Sequence, residues 1–385
     1  MGNVLTQLGD ISVEHFLAEY WQQKPLLIRQ ALPGFESPIS PDELAGLSLE
    51  DEVESRIILE NHQGAPWQLR KGPFDEQTYQ QLPDTNWTLL VQALDLFVPE
   101  LKHLRQQFQF LPDWRLDDIM ASFAVDGGSV GPHYDHYDVF LLQGYGKRHW
   151  QVGQTCNEHS QRLDGTPLNI LQEFQCLDSY VLEPGDILYL PPRVAHWGIA
   201  QGDCITYSVG FRAPSQAQLL DEHFQSLAEG FSEFQRYEDP KIKQREHSHE
   251  LLPEDIARVR HILEEHLNNA DSNIIHWLGR LLSETKYSDD GEAHDRFSEM
   301  PTQLLKADDA RCLFFRENDQ QTLLFINGEQ RECPLALAIE ICESDWIDSE
   351  HAITQFNNAE DGIEFVQWLL CSGAYFEDED SLPEE

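Results

Sequence analysis

From Asp118 to about Pro214 the chain is a series of short apolar stretches cut by Gly, Pro and Asp, and this texture restricts the fold more than any other feature. Ile119 to Val125 ends at Asp126-Gly127-Gly128, and Tyr137 to Gln143 ends at Gly144-Tyr145-Gly146. His149 to Val152 follows, then a polar loop over residues 153–168. Tyr180 to Leu182, Asp186 to Leu190, His196 to Ile199 and Thr206 to Arg212 complete the set. Short strands with a turn signal after each predict an antiparallel barrel or sandwich, because each turn reverses the chain before the strand can lengthen.

The chemistry is concentrated at residues 131–150, Gly-Pro-His-Tyr-Asp-His-Tyr-Asp-Val-Phe-Leu-Leu-Gln-Gly-Tyr-Gly-Lys-Arg-His-Trp. His133 and Asp135 stand two apart, a spacing that puts both side chains on one face of a strand. Downstream, Pro-Gly-Asp-Ile-Leu-Tyr-Leu-Pro-Pro-Arg-Val-Ala-His-Trp brings His196, delivered by a strand bracketed by the Glu183-Pro184-Gly185-Asp186 turn and Pro191-Pro192. Two histidines and one carboxylate with open positions make a facial triad for Fe(II). His136 and Asp138 form a second H-x-D facing the other way, and periodicity alone does not choose between the two. Most of the 16 histidines are expected to be ordinary core or surface residues.

The flanks read as support. Ser12 is placed to cap a helix over about 13–22, and Pro25 precedes a strand at Leu26 to Arg29. Ser40-Pro41-Asp42-Glu43 is a capping box with proline at N1. Arg56 to Glu60 and Trp67 to Leu69 look like strands; Trp87 to Phe97 fits strand or helix and should stop at Pro99. After Pro214 the pattern turns helical, over 216–235, 253–268 and 272–284, with apolar faces that a dimer would cover. From Pro301 come Cys312 to Arg316 and Thr322 to Ile326, then an Asn327-Gly328 hairpin turn and helices over Leu335 to Ile341 and Gly362 to Leu370. This pattern suggests a winged-helix-like module ending in an acidic tail. The expected domains are therefore 1–214 (catalytic, core about 118–214), 215–300 (helical dimerisation region) and 301–385.

Charge limits the partners. The chain carries 68 acidic against 26 basic residues, formally −42. Residues 301–385 alone hold four Lys/Arg against 20 Asp/Glu, the wrong sign for a DNA reader. Free nucleic acid is a poor partner, whereas a basic protein would be steered toward such a surface. No apolar run approaches the roughly 18–20 residues that span a bilayer, and the seven scattered cysteines fit reduced thiols. A protein of the cytoplasm, away from membranes, is expected.

Residues 118–214 resemble the JmjC branch of the Fe(II)/2-oxoglutarate oxygenases. The wider string, from Tyr20-Trp21 and Lys24-Pro25-Leu26 to Tyr207-Ser208-Val209-Gly210-Phe211-Arg212, is similar to the bacterial ribosomal oxygenases. The resemblance implies a double-stranded β-helix (cupin/JmjC) barrel, a helical dimerisation region and a winged-helix-like C-terminal domain. It implies Fe(II), with 2-oxoglutarate and O2 as co-substrates, and metal ligands at His133, Asp135 and His196. In that family the cation that holds the far carboxylate of 2-oxoglutarate lies fifteen positions after the first ligand histidine. That count lands on Arg148 from His133 but on Gln151 from His136, which favours the first register. Arginine suits the task through paired charge-assisted bonds. Ser122 is a further candidate for the same carboxylate; Asp118, Tyr137 and Asp138 are candidates for holding the substrate. The implied reaction is β-hydroxylation of an arginine in large-subunit ribosomal protein L-sixteen, releasing succinate and CO2. Alternatives are a histidine or N-methyl-lysine target, or a non-catalytic acidic cupin that binds basic proteins.

Overall fold

Two strands of 17 and 18 residues, Val139–Thr155 and Val194–Phe211, run antiparallel and organise the first half of the chain. Each joins stretches that Gly and Asp separate in the sequence pattern. The glycines mark a bulge and not an end: the register shifts between Gln201 and Ile205, near Gly146 at φ +62°. A Cβ on Gly146 would run into the Asp203 carbonyl, so only glycine lets the two strands bend together there.

The computed structural model describes residues 4–62, 64–240, 242, 249, 251–267, 271–286, 300–318 and 322–377. It divides into two units, Met1–Ala213 and Pro214–Glu385. The first opens with β1 (Gln7–Leu8), β2 (Ile11–Ser12) and α1 (Val13–Glu19), whose first turn donates from the His15 amide to Ser12 Oγ. Then come β3 (Leu26–Ile28) and α2 (Pro41–Leu47), which has the Ser40–Glu43 capping box. β4 (Ser55–His62), β5 (Ala65–Lys71), α3 (Glu76–Gln80), β6 (Trp87–Val91) and α4 (Pro99–Gln107) follow. Pro99, expected only to end the strand or helix before it, begins a helix: at N1 its missing N–H would have had no partner anyway. β7 (Leu116–Ala124), β8 (Val139–Thr155), β9 (Cys176–Leu182), β10 (Ile187–Leu190) and β11 (Val194–Phe211) complete the unit.

The strands pair in the order β3-β10-β8-β11-β7-β6-β4-β5, with β9 on β8. The N-terminal strands therefore extend the sheet and do not merely pack around it. Beyond the bulge β8 and β11 change neighbours. Val139–Leu190 pairing ties the start of β8 to β10, whereas Arg148 to Gly153 pair with β9. The result is a double-stranded β-helix in two layers; among the described residues its strands follow one open path and do not close into a ring. Aromatic rings fill the space beneath it. Phe16 is fully buried, with its ring 4.9 Å from Tyr189 and 5.5 Å from Phe140, so α1 belongs to the core.

The Glu183-to-Asp186 turn is locked by its own carboxylate. Asp186 accepts from the Gln30 amide at 2.9 Å, the Glu183 amide at 3.1 Å and Arg29 Nη1 at 2.6 Å. Burial pushes this carboxyl up, but the amides of Gln30 and Glu183 together with Arg29 outweigh it and hold it below its ordinary range. β3 is thereby tied to the start of β10.

In the second unit come α5 (Gln216–Glu229), α6 (Pro253–Leu267) and α7 (Asp271–Ser283). β12 (Gln303–Lys306), β13 (Cys312–Arg316), β14 (Thr322–Ile326) and β15 (Glu329–Cys333) are followed by α8 (Leu335–Glu343), β16 (Trp346–Asp348), α9 (Ser349–Thr354), α10 (Ala359–Cys371) and β17 (Tyr375–Glu377). Two three-stranded sheets form, β16-β12-β17 and β13-β14-β15. Asn327 and Gly328, at φ +47° and +81°, make the expected hairpin turn. α7 packs on that hairpin sheet: a Cβ at Gly279 would overlap the Phe325 ring, and Ser283 Oγ accepts from the Gly328 amide. The helical stretch thus shares packing with the C-terminal strands.

Two outcomes follow. Phe16→Ala should lower the unfolding free energy by about 3–5 kcal/mol in denaturant titrations. Asp186 has a depressed folded pKa, so its contribution to stability is present above about pH 4 and lost as pH falls through the folded value. Asp186→Asn should therefore flatten the acid side of the stability–pH curve.

Candidate active site

His133 is held outside the long strands. It makes one antiparallel bridge with His196, its amide donating to the His196 carbonyl at 3.1 Å and the His196 amide returning at 2.8 Å. The Asp135 carbonyl accepts from the Arg193 amide at 2.7 Å. β8 starts only at Val139. His133 and Asp135 are therefore presented by a tethered loop, and strand alternation, from which their shared face was inferred, does not operate here. Ligand atoms of His133, Asp135 and His196 nonetheless lie within 4.8 Å of one another. The imidazole centroids are 4.2 Å apart, and His196 Nε2 is 3.6 Å from Asp135 Oδ2.

Hydrogen bonds select the ring tautomers. His133 Nδ1 lies 2.9 Å from the Gly131 carbonyl and His196 Nδ1 lies 3.0 Å from the Val194 carbonyl. A carbonyl only accepts, so each Nδ1 carries the proton and each Nε2 keeps its lone pair for a cation. Burial first, then the neighbouring His133, pulls the His196 imidazole down to about 4, against the opposing pull of Asp135. Neutral imidazole and carboxylate form the donor set suited to a divalent first-row metal, and the residues fit one. His136 is exposed and packs edge-on against Tyr134 at 5.4 Å.

Arg148, on β8 between Leu182 of β9 and Ala200 of β11, is 1% exposed. Its Nη1 donates to Ser122 Oγ at 2.7 Å, its guanidinium lies 5.2 Å from the Trp150 ring centroid, and its Nε has no partner. Among the described residues no carboxylate pairs with it. Burial lowers its pKa, yet a guanidinium stays charged. A buried cation with an orphaned donor is an anion site in waiting. Gly198 makes the space: a Cβ there would sit 2.8 Å from Arg148 Nε and from the Trp150 ring. Trp150 also lies 5.9 Å from His196. Sequence reasoning missed both residues. Trp150 could have been found by its two-residue spacing from Arg148 on one strand face. Gly198 becomes legible only when β11 pairs with β8 opposite Trp150.

The three substrate candidates separate. Asp118 is buried, with Oδ2 accepting from Gln92 at 2.6 Å. Tyr137 is exposed as a whole residue, yet burial around its hydroxyl first, and then the carboxylates of Asp135, Asp118 and Asp117, push that hydroxyl's pKa up. Asp138 goes elsewhere and needs correcting. It is fully buried and accepts from Tyr189 Oη at 2.7 Å, Gln22 Nε2 at 2.9 Å and Arg115 Nη2 at 3.3 Å. Those three donors reach both carboxylate oxygens, and full burial inside the aromatic core keeps a substrate from reaching them.

A JmjC domain model matches residues 103–219, a span containing all the residues just described except Gln22 and Gln92. Against the ribosomal protein uL16 3-hydroxylase of Escherichia coli the chain is 39% identical over 272 residues, covering 71% of both chains. The chain belongs to the JmjC-domain ribosomal oxygenases. A probable ribosomal oxygenase of Haemophilus influenzae is 40% identical over 233 residues, 60% of this chain and 55% of that one. The structure of the Escherichia coli ribosomal oxygenase YcfD in complex with cobalt and 2-oxoglutarate superposes with a TM-score of 0.78 at 33% identity, covering 95% of this chain and 98% of the other. The likeness to this family therefore extends through both units.

In this member of the family Asp138 is a core group. Asp138→Ala strands Arg115, whose side chain is largely buried, and should cost about 3–5 kcal/mol of stability by denaturant melting.

Proposed function

We propose that the chain is an Fe(II)- and 2-oxoglutarate-dependent oxygenase that hydroxylates the β-carbon of an arginine in ribosomal protein uL16. One observation carries the reading: a three-residue donor set whose two histidines turn Nδ1 to backbone carbonyls is joined through the Trp150 ring, 5.9 Å from His196 and 5.2 Å from the Arg148 guanidinium, to a buried cation without a carboxylate among the described residues. His133, Asp135 and His196 would hold the iron. Bound there, it supplies oxygen activation coupled to the decarboxylation of 2-oxoglutarate to succinate and CO2.

The chain's own residues orient the reactants. Arg148 offers the far carboxylate of 2-oxoglutarate a charged donor whose own solvation burial has removed, and Ser122 Oγ adds a hydroxyl at the same spot. Gly198 keeps that space open. Asp118 and the ring of Tyr137 would receive the substrate guanidinium, through a charge-assisted bond and a cation–π contact. The −42 charge would draw in a basic ribosomal protein and repel free nucleic acid. No helix among the described residues is long and apolar enough to cross a membrane, and the cytoplasm, where such a substrate is made, is the proposed compartment.

The chain would act as a homodimer through the helices after Pro214. Leu220 and Phe224 on α5, and Ile256, Val259, Ile262 and Leu263 on α6, are exposed at helical spacing. A second copy offers faces of the same kind. Val259→Glu together with Leu263→Glu should convert a dimer to a monomer in analytical ultracentrifugation.

Succinate release should require both Fe(II) and uL16, and mass spectrometry should find the mass of one oxygen on an arginine of that protein. A shift confined to histidine, or loss of methyl groups, would sink the arginine assignment. His133→Ala should abolish turnover while His136→Ala keeps most of it; the reverse result would overturn the ligand register.

A further inference from the structure

We infer that Ser129 is a positioning residue for the metal centre, on the reading of His133, Asp135 and His196 as ligands given above. Ser129 is 1% exposed, and its hydrogen bonds go to none of the three. Its Oγ accepts two hydrogen bonds, from Trp197 Nε1 at 2.8 Å and from the Gly131 amide at 3.0 Å. Each donor stands beside a ligand. Trp197 follows His196 on β11, and the Gly131 carbonyl is the group that receives His133 Nδ1–H. One hydroxyl therefore links the strand that delivers one histidine to the residue that sets the ring of the other.

The need for this link lies in Gly131. At φ +80° it occupies backbone space that favours glycine, and a Cβ there would press on Ile170 and Trp67. Glycine permits the turn but resists rotation of its flanking peptides poorly. Two bonds oppose that rotation from either side: Ser129 holds the Gly131 N–H, and the His133 ring holds the Gly131 carbonyl. Loss of the first leaves ring orientation to the second alone. Trp197 is itself fixed edge-on against Phe174, with centroids 6.0 Å apart, so its N–H is a rigid donor and Ser129 has a stationary anchor. Both lone pairs of the hydroxyl are used, which accounts for a serine buried at this point.

Removing a direct hydrogen-bond partner of a metal-binding histidine weakens metal affinity about 10–100-fold. Ser129 acts one bond further out, so a loss of about three- to tenfold is expected. The test is a titration of the metal-free full chain with Co(II), followed by its visible d–d bands, which report ligand geometry as well as occupancy. Ser129→Ala and Trp197→Phe should each weaken Co(II) binding by that factor and alter the bands. The double variant should bind no more weakly than the weaker single one, because both substitutions break the same connection. Trp197→Phe keeps an aromatic ring on Phe174 while removing the donor N–H with the five-membered part of the indole, so, with a metal-free thermal melt that matches the unaltered chain, it carries the test should Ser129→Ala fail to fold. Binding within about twofold of the unaltered chain with unchanged bands, or effects that multiply in the double variant, would overturn the inference. His133→Ala separates the two levels. If it abolishes Co(II) binding while Ser129→Ala and Trp197→Phe do nothing, the Ser129 inference alone fails. If it binds Co(II) as before, the ligand reading fails, and the inference with it.

Discussion

The reciprocal backbone pair between His133 and His196 is the contact on which the rest of the site depends. The two histidines are far apart in the chain, and one of them lies in a loop with no strand neighbours to fix it. Two short amide–carbonyl bonds replace the ladder that would otherwise hold it. With the Arg193 amide on the Asp135 carbonyl, they place two imidazoles and a carboxylate around one point. The ring nitrogens then complete the geometry locally, each bonded two residues back along its own chain.

That contact exists because β8 and β11 bend as one. A straight pair of such length would lie in a single layer. The bulge near Gly146 lets the later part of β8 join β9 while its start stays with β10. The same bend puts Arg148 between two strands, away from water and away from any carboxylate of the described residues. Burying a cation in that way costs stability unless an anion arrives, and the fold places that cost where Gly198 and Ser122 leave room and a hydroxyl. Asp138 shows the opposite solution. It is as deeply buried, yet three donors meet its two oxygens, so it ties core segments together and is closed to a ligand.

Much of the local structure was legible. Ser12, Ser40 and the Asn327-Gly328 turn act through neighbours within a few residues, and short-range hydrogen bonding is visible in a one-dimensional string. Strand lengths were less legible, because glycine serves a turn and a bulge equally well; only cross-strand pairing tells the two apart. Pro99 misled for a related reason, since proline is as suited to the first turn of a helix as to the end of a strand. Asp138 looked like half of a second H-x-D, and nothing near it in sequence announced Gln22 or Tyr189 as partners.

By itself the sequence determined the donor chemistry: which residue types carry nitrogen, carboxylate and guanidinium, the two-residue spacing of His133 and Asp135, and a charge that suits a basic partner. Tertiary structure decided which of those groups meet. His196 reaches His133 through an isolated bridge, Arg148 becomes an anion site through burial, and Asp138 is withdrawn into the core. Each of these outcomes rests on desolvation and on contacts between distant segments, and both are properties of the folded chain.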